Sequence, residues 1–169
     1  MPTPTQPISG ASIAAAWGAS IHQYVFTPAG VFCNGSAVTM LAAEAYRDLP
    51  LGITSDPGTW FDPGNNRVIV PPNGAGLYLM VASVVSDGGA TTGTTGVVLR
   101  VNGSEVARAQ ADNEGVNDVG LTVVAVEALE EGDIIGPLRA HNIGTGTLPD
   151  VYIRRLSIIK LGNELGIAV

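Results

Sequence analysis

Apolar positions in this chain come in short runs, each closed by residues that favour turns. From about Val31 onward the breaks are Asp56-Pro-Gly58, Asp62-Pro-Gly-Asn-Asn66, Pro71-Pro-Asn-Gly74, Asp87-Gly-Gly89, Asn102-Gly103, Asn113-Glu-Gly115 and Gly144-Thr-Gly146. Gly, Pro, Asn and Asp at such points supply the dihedral angles and local hydrogen bonds that turns require. The runs between them predict strands near residues 36–46, 67–70, 76–86, 95–101, 104–111, 118–127, 133–140 and 151–161. Asn102-Gly103, set between Val97–Val101 and Ser104–Arg108, is the pair that a two-residue hairpin turn selects. Short strands at this spacing predict an all-β sandwich or jelly roll.

Two of the runs are apolar on both faces. In Gly76–Val85 one face carries Leu77, Leu79, Val81 and Val85, and the other Tyr78, Met80, Ala82 and Val84. Leu121–Val126 behaves likewise. A lone antiparallel sandwich wets one face of each sheet, so its strands should alternate apolar with polar. Burial on both faces points to an oligomer. The pattern alone does not say which face meets a second copy. Tyr78, Met80 and Val84 are the residues expected at that interface.

The first 26 residues read differently. Pro2, Pro4 and Pro7 exclude a helix from residues 1–9. Beyond them, Ile13, Trp17, Ile21 and Val25 recur every four residues, with Ser9 or Ser12 able to cap a helix. No charge interrupts this stretch, and its remaining positions are largely Ala, Ser and Gly. Such a helix either packs on its own domain or docks on a neighbour; Ile13, Trp17 and Ile21 are expected to form an anchor of the second kind. The chain is thus expected to divide into a leader with an anchoring helix at 1–30 and a β domain at 31–169.

Composition sharpens this picture. Of 169 residues, 46% are hydrophobic and only 14% charged. Yet no apolar run reaches the eighteen or so residues of a membrane span, so no membrane insertion is expected. The surplus is more simply hidden against copies of the same chain. Twenty-two Gly and eleven Pro suit a fold of many turns. A net charge of −7, with Lys160 the only lysine, disfavours nucleic acid as a partner, because phosphate binding needs clustered cations. Cys33 stands alone and can form no internal disulfide. Met1–Pro7 has neither a basic start nor an apolar core of a signal peptide, so synthesis in the cytoplasm is expected.

Catalytic chemistry finds little support. The two histidines, His22 and His141, have no Gly-x-Ser-x-Gly elbow beside them. Cys33 lacks a flanking base that would lower its thiol pKa, and a buried or neutral thiol is expected. Glu130, Glu131 and Asp133 crowd a Gly-Asp turn that accounts for them structurally. Asp112–Asp118 gathers hard oxygen ligands that would suit calcium, but without the spacing of a helix-loop-helix calcium site; a solvated loop is the plainer reading. No enzyme, metal or cofactor is expected. Trp60 and Phe61, in a chain with few aromatics, are the first candidates for a surface-binding patch.

Several segments resemble one family. Val68–Ser83 resembles the Pro-x-x-Gly-x-Tyr strand of TNF-like and complement-type globular heads, with Pro72 and Gly76 one residue further apart than that pattern asks. Val101–Val106 resembles the family's Asn-Gly hairpin, Leu129–Ile135 its Leu-x-x-Gly-Asp-x-Val element, and Arg155–Leu161 its last core strand. These elements follow the family's order across roughly residues 36–162. The resemblance implies an antiparallel jelly roll that assembles as a homotrimer. The Pro/Thr leader and Ala-rich segment before the head resemble small minor tail proteins of bacteriophages. That implies a virion component, at the tail or as a capsid decoration. Its implied partners are other virion proteins, met through the N-terminal segment, and a host cell-surface glycan.

Overall fold

Alternation of core-facing and outward-facing side chains, read off strand by strand, organises this chain into two antiparallel sheets. The computed structural model describes residues 30–35, 38–39, 46–86, 92–114, 118–145 and 150–162. Their strands are β1 (Gly30–Gly35), β2 (Val38–Thr39), β3 (Tyr46–Asp48), β4 (Gly52–Ser55), β5 (Phe61–Asp62), β6 (Arg67–Ile69) and β7 (Gly76–Ser86). There follow β8 (Thr92–Val101), β9 (Ser104–Glu114), β10 (Val119–Leu129), β11 (Ile134–Ile135), β12 (Arg139–Thr145) and β13 (Asp150–Gly162). The first sheet runs β10-β7-β13-β1-β4, with β2 also on β13; the second runs β3-β12-β8-β11-β6-β5, with β9 also on β8. Among the described residues there is no helix. The helix expected around Ile13, Trp17 and Ile21 lies outside them.

The core lies between the sheets. The first contributes Val31 and Cys33 from β1, the even positions Tyr78, Met80, Ala82 and Val84 from β7, Leu121, Val123 and Ala125 from β10, and Leu156 and Ile158 from β13. Val97, Leu99, Val101, Ile135 and Ala140 face them from the second, with Leu138 from the β11–β12 connection. Side chains packed this way contribute roughly 1.5–3 kcal/mol each when fully buried.

The Asn-Gly expectation holds in detail. Asn102 and Gly103 have φ of 50° and 80°, both positive, as the tightest hairpin turn demands. The Gly-Asp element then docks on this hairpin. Asn102 Nδ2 donates to Asp133 Oδ1 at 2.8 Å, and the Ile134 amide donates to Asn102 Oδ1 at 2.9 Å. Asp133 Oδ2 accepts from the Glu130 amide at 2.8 Å, and Glu131 Oε2 from the Asn73 amide at 3.0 Å. These carboxylates hold turns together.

Other boundaries differ from expectation. The run at 133–140 divides into β11 and β12 around Gly136-Pro137, because proline has no N–H to extend a ladder. Strands β1, β4 and β5 were not anticipated. Of the expected strand at 36–46, only Val38, Thr39 and Tyr46 are described, in two separate elements.

Candidate self-association face and an arginine-lined groove

Tyr78, Met80 and Val84 are not at an interface. Their exposures are 0%, 0% and 1%, all from contacts within the one chain. A side chain with no surface left has none to bury against a second copy. The Tyr78 hydroxyl also donates to the Gly74 carbonyl at 2.6 Å, and its ring meets Trp60 edge-on at 6.2 Å. The expectation for this face is therefore corrected: the even residues of β7 form the core, and the odd ones face outward.

That outward face is apolar over several strands. Register places Val124 of β10, Val81 of β7, Ser157 of β13 and Phe32 of β1 in one row. Val126, Leu79, Ile159 and Gly30 form the next. Val124 is 56% exposed and Val126 51%, with Phe32 and Leu161 also open to solvent. Leu77, Leu79, Val81, Val85 and Ile159 are half-buried. A polar row of Thr122, Ser83, Arg155 and Asn34 borders the patch, with the Ser83 and Thr122 hydroxyls 2.9 Å apart. Contiguous exposed apolar surface of this kind marks an interaction site.

The second sheet's outward face is charged. Register sets Asp48 of β3, Arg139 of β12, Val98 of β8 and Arg108 of β9 in one row. The adjoining row holds Tyr46, His141, Gly96 and Gln110, and Arg100 pairs with Glu105 on the other side. Arg100, Arg108 and Arg139 thereby surround Val98 in a groove of about 230 Å³, completed by Tyr46, Gly103 and Glu105. Arg139 Nε donates to Asp48, and Arg108 pairs with Glu105 through two nitrogens while reaching Tyr46 Oη at 3.4 Å. Arg100 donates to the Gly103 carbonyl. The hydrogen bond and charge of Arg108 lower the Glu105 pKa from its ordinary value, against the effect of desolvation.

His141 sits beside this groove, 1% exposed, with both ring nitrogens lacking a hydrogen-bond partner. Its ring is tilted against Tyr46 with centroids 5.2 Å apart, and it lies directly over Gly96. A methyl group at position 96 would fall deep inside the imidazole's van der Waals surface, so only glycine leaves room for that ring. Burial pushes the His141 pKa down, and the Arg108 charge pushes it the same way.

Other singled-out residues fall in different places. Phe61 is 7% exposed and belongs to the core, while Trp60 is partly buried and packed on that core. The expected surface patch is corrected for Phe61, whereas Trp60 keeps part of its surface in solvent. Their loop is fixed by Asp56, whose two oxygens accept from the Trp60 and Phe61 amides at 2.9 and 2.8 Å. Cys33 is a buried thiol, raised to about 11 by desolvation and then by the nearby Asp56 charge. His22 lies outside the described residues, as does the middle of the Asp112–Asp118 loop. Among the described residues no cluster of His, Cys, Asp and Glu is placed to hold a metal ion. Nor is any helix among them long and apolar enough to cross a membrane. The sequence gives no complete signal for the groove, because Arg139 is distant along the chain from the Arg100–Arg108 hairpin and only strand register brings it alongside.

No family model and no curated protein matches the chain. Solved structures do. It is similar to the globular domain of zebrafish complement 1qA protein (15% identity, TM-score 0.57), covering 81% of this chain and 99% of that one. It is similar also to murine APRIL at pH 5.0 (16%, 0.55), covering 78% of this chain and 99% of that one. A third likeness is to the Eiger TNF of S. frugiperda (14%, 0.52), covering 84% and 98% respectively. At these identities the likeness speaks for the fold: this chain is an antiparallel jelly roll of the TNF and complement globular-head type.

Proposed function

We propose that this chain is a non-catalytic, self-associating binding head, a homotrimer that serves as a structural and adhesive component of a bacteriophage virion. The observation that carries the self-association is the outward face of the first sheet, where Val124, Val126, Phe32 and Leu161 stand open to water. An apolar area of this extent costs solubility unless something covers it. A second and third copy of the same fold, as the TNF-like resemblance implies, would supply that cover. The virion assignment is supported by the Pro/Thr leader and the Ala-rich stretch of Ile13, Trp17 and Ile21, which resemble the N-terminal segments of minor tail proteins. In this reading those residues attach the head to its virion neighbours.

Three experiments test this. Mass photometry of the full chain should report three copies per particle; a stable monomer at micromolar concentration overturns the assembly. Immunogold microscopy of phage particles carrying the gene should label the tail tip. Label on the capsid would move the chain to a decoration role, and unlabelled particles would remove it from the virion. Deleting residues 1–26 should leave a folded β domain that no longer joins particles.

A further inference from the structure

We propose that the groove on the outward face of the second sheet binds a carboxylate-bearing sugar, held by Arg100, Arg108 and Arg139 beside Tyr46. This gives the adhesive part of the reading above a site and a ligand chemistry. It rests on that adhesive reading, and the apolar assembly face does not enter it.

The first argument is electrostatic. The whole chain carries −7, and of its eight Lys and Arg residues three line this one groove. Arg139 and Arg108 flank Val98 from the two neighbouring strands and Arg100 follows two residues along β8, so three like charges gather around one apolar residue and repel one another. Glu105 and Asp48 offset two of the three charges through their pairs with Arg108 and Arg139. The cluster is thus one carboxylate short of neutral: three cations less two anions leave a single positive charge. A guanidinium has five N–H donors in a planar fork that matches a carboxylate, and Arg139's bond to Asp48 uses only one of them.

The second argument is shape. A groove of about 230 Å³ falls below the range typical of drug-sized ligands and suits a single sugar ring. Val98 forms an apolar floor, and Tyr46, 51% exposed, stands at the rim with its ring braced against His141. An apolar floor and an aromatic rim fit the C–H face of a pyranose, and the arginine forks its exocyclic carboxylate. The Tyr46 hydroxyl and the Gln110 side chain, both tied to Arg108, lie within reach of ring hydroxyls. The third observation is His141 itself. It is almost fully buried against the groove wall with neither nitrogen satisfied, close enough to Arg108 and Glu105 to sense both charges. It stands behind Tyr46 and holds that ring at the rim, without itself lining the groove.

The test is calorimetric titration of the full chain with D-glucuronate, D-glucose, acetate and inorganic phosphate. Glucuronate should bind with a dissociation constant on the order of 1 mM, as a ligand this small in an open groove would. Glucose and acetate should each bind at least about tenfold more weakly. Arg108→Ala and Arg139→Ala should each weaken glucuronate about tenfold or more, with melting temperatures checked alongside. Arg67→Ala, which breaks a partly buried pair with Asp62 elsewhere, should leave binding unchanged. Phosphate binding as tightly as glucuronate would overturn the sugar assignment, and so would glucose binding equally well. No glucuronate binding by a folded protein would overturn the site. Because mass photometry on the same sample reports assembly, an intact trimer that ignores glucuronate refutes only the adhesive site. A monomer that binds it refutes only the assembly.

Discussion

Replacing Val126 with aspartate should separate assembly from folding. Val126 is 51% exposed in the single chain, in the same row as Leu79 and Ile159. Strand propensity spans about 1 kcal/mol, so Val126→Asp should leave the monomer folded. In an assembly the account is different. Covering the exposed half of a valine is worth about 1 kcal/mol, and that is lost. Burying a carboxylate without a partner costs about 2 kcal/mol or more. The sum is roughly 3 kcal/mol per copy and roughly 9 for three copies. At 1.4 kcal/mol per decade that is about six orders of magnitude in the association constant. Mass photometry and light scattering across a dilution series should show a monomer, with strand circular dichroism unchanged. Met80→Asp, with 0% exposure on the opposite face, should instead give an insoluble or unfolded chain. A Val126→Asp protein that remained trimeric would refute the assignment of this face.

Three further outcomes test the core and the groove wall. Tyr78→Phe removes the donor to the Gly74 carbonyl and should cost roughly 1–3 kcal/mol in urea unfolding, since that buried oxygen is left without its partner. Gly96→Ala should cost roughly 1–3 kcal/mol through overpacking on His141, and should add little in a His141→Ala background; strict additivity would refute the contact. The His141 pKa is lowered from the ordinary 6.5, so the unfolded chain takes up its proton first as pH falls. Its stabilising contribution is therefore complete above about 6.5 and is lost as pH falls from there through the lower folded-state value. Melting temperature against pH should decline in that window, and His141→Phe, which keeps a ring over Gly96, should flatten the decline.

The sequence revealed local chemistry well and facing poorly. Asn102-Gly103 identified its hairpin because only certain residues tolerate two successive positive φ values. Strand 76–86 was legible from its length and apolar content, and β7 spans those residues. Which face was core could not be read, because Leu and Val on odd positions match Tyr, Met and Val on even ones in hydrophobicity. The partner that lets Tyr78 be buried, the Gly74 carbonyl, is supplied only by the folded chain. Phe61 was misplaced for a similar reason. A loop rich in Asp, Pro and Gly suggests solvent, but both Asp56 oxygens pin the backbone so that the aromatic turns inward. The arginine groove is legible only in part: Arg100 and Arg108 flank the expected hairpin, but Arg139 joins them only through the β12-β8 register.

The two outward faces have a joint consequence that neither has alone. If copies of the chain cover the first sheet's apolar face, the second sheet's groove stays in solvent on every copy. A trimer would then present three identical sites of weak intrinsic affinity. Linked sites that engage one surface together gain avidity of about 10²–10⁴ over a single site without any new contact. Val126→Asp is the probe for this, because the substituted residue lies on β10 of the first sheet and the groove on the second. On a surface densely coated with glucuronate the variant should dissociate about 10²–10⁴ times more readily than the parent protein. In free solution its dissociation constant for D-glucuronate should be unchanged. Equal retention of monomer and trimer on the coated surface would show that the grooves do not act together.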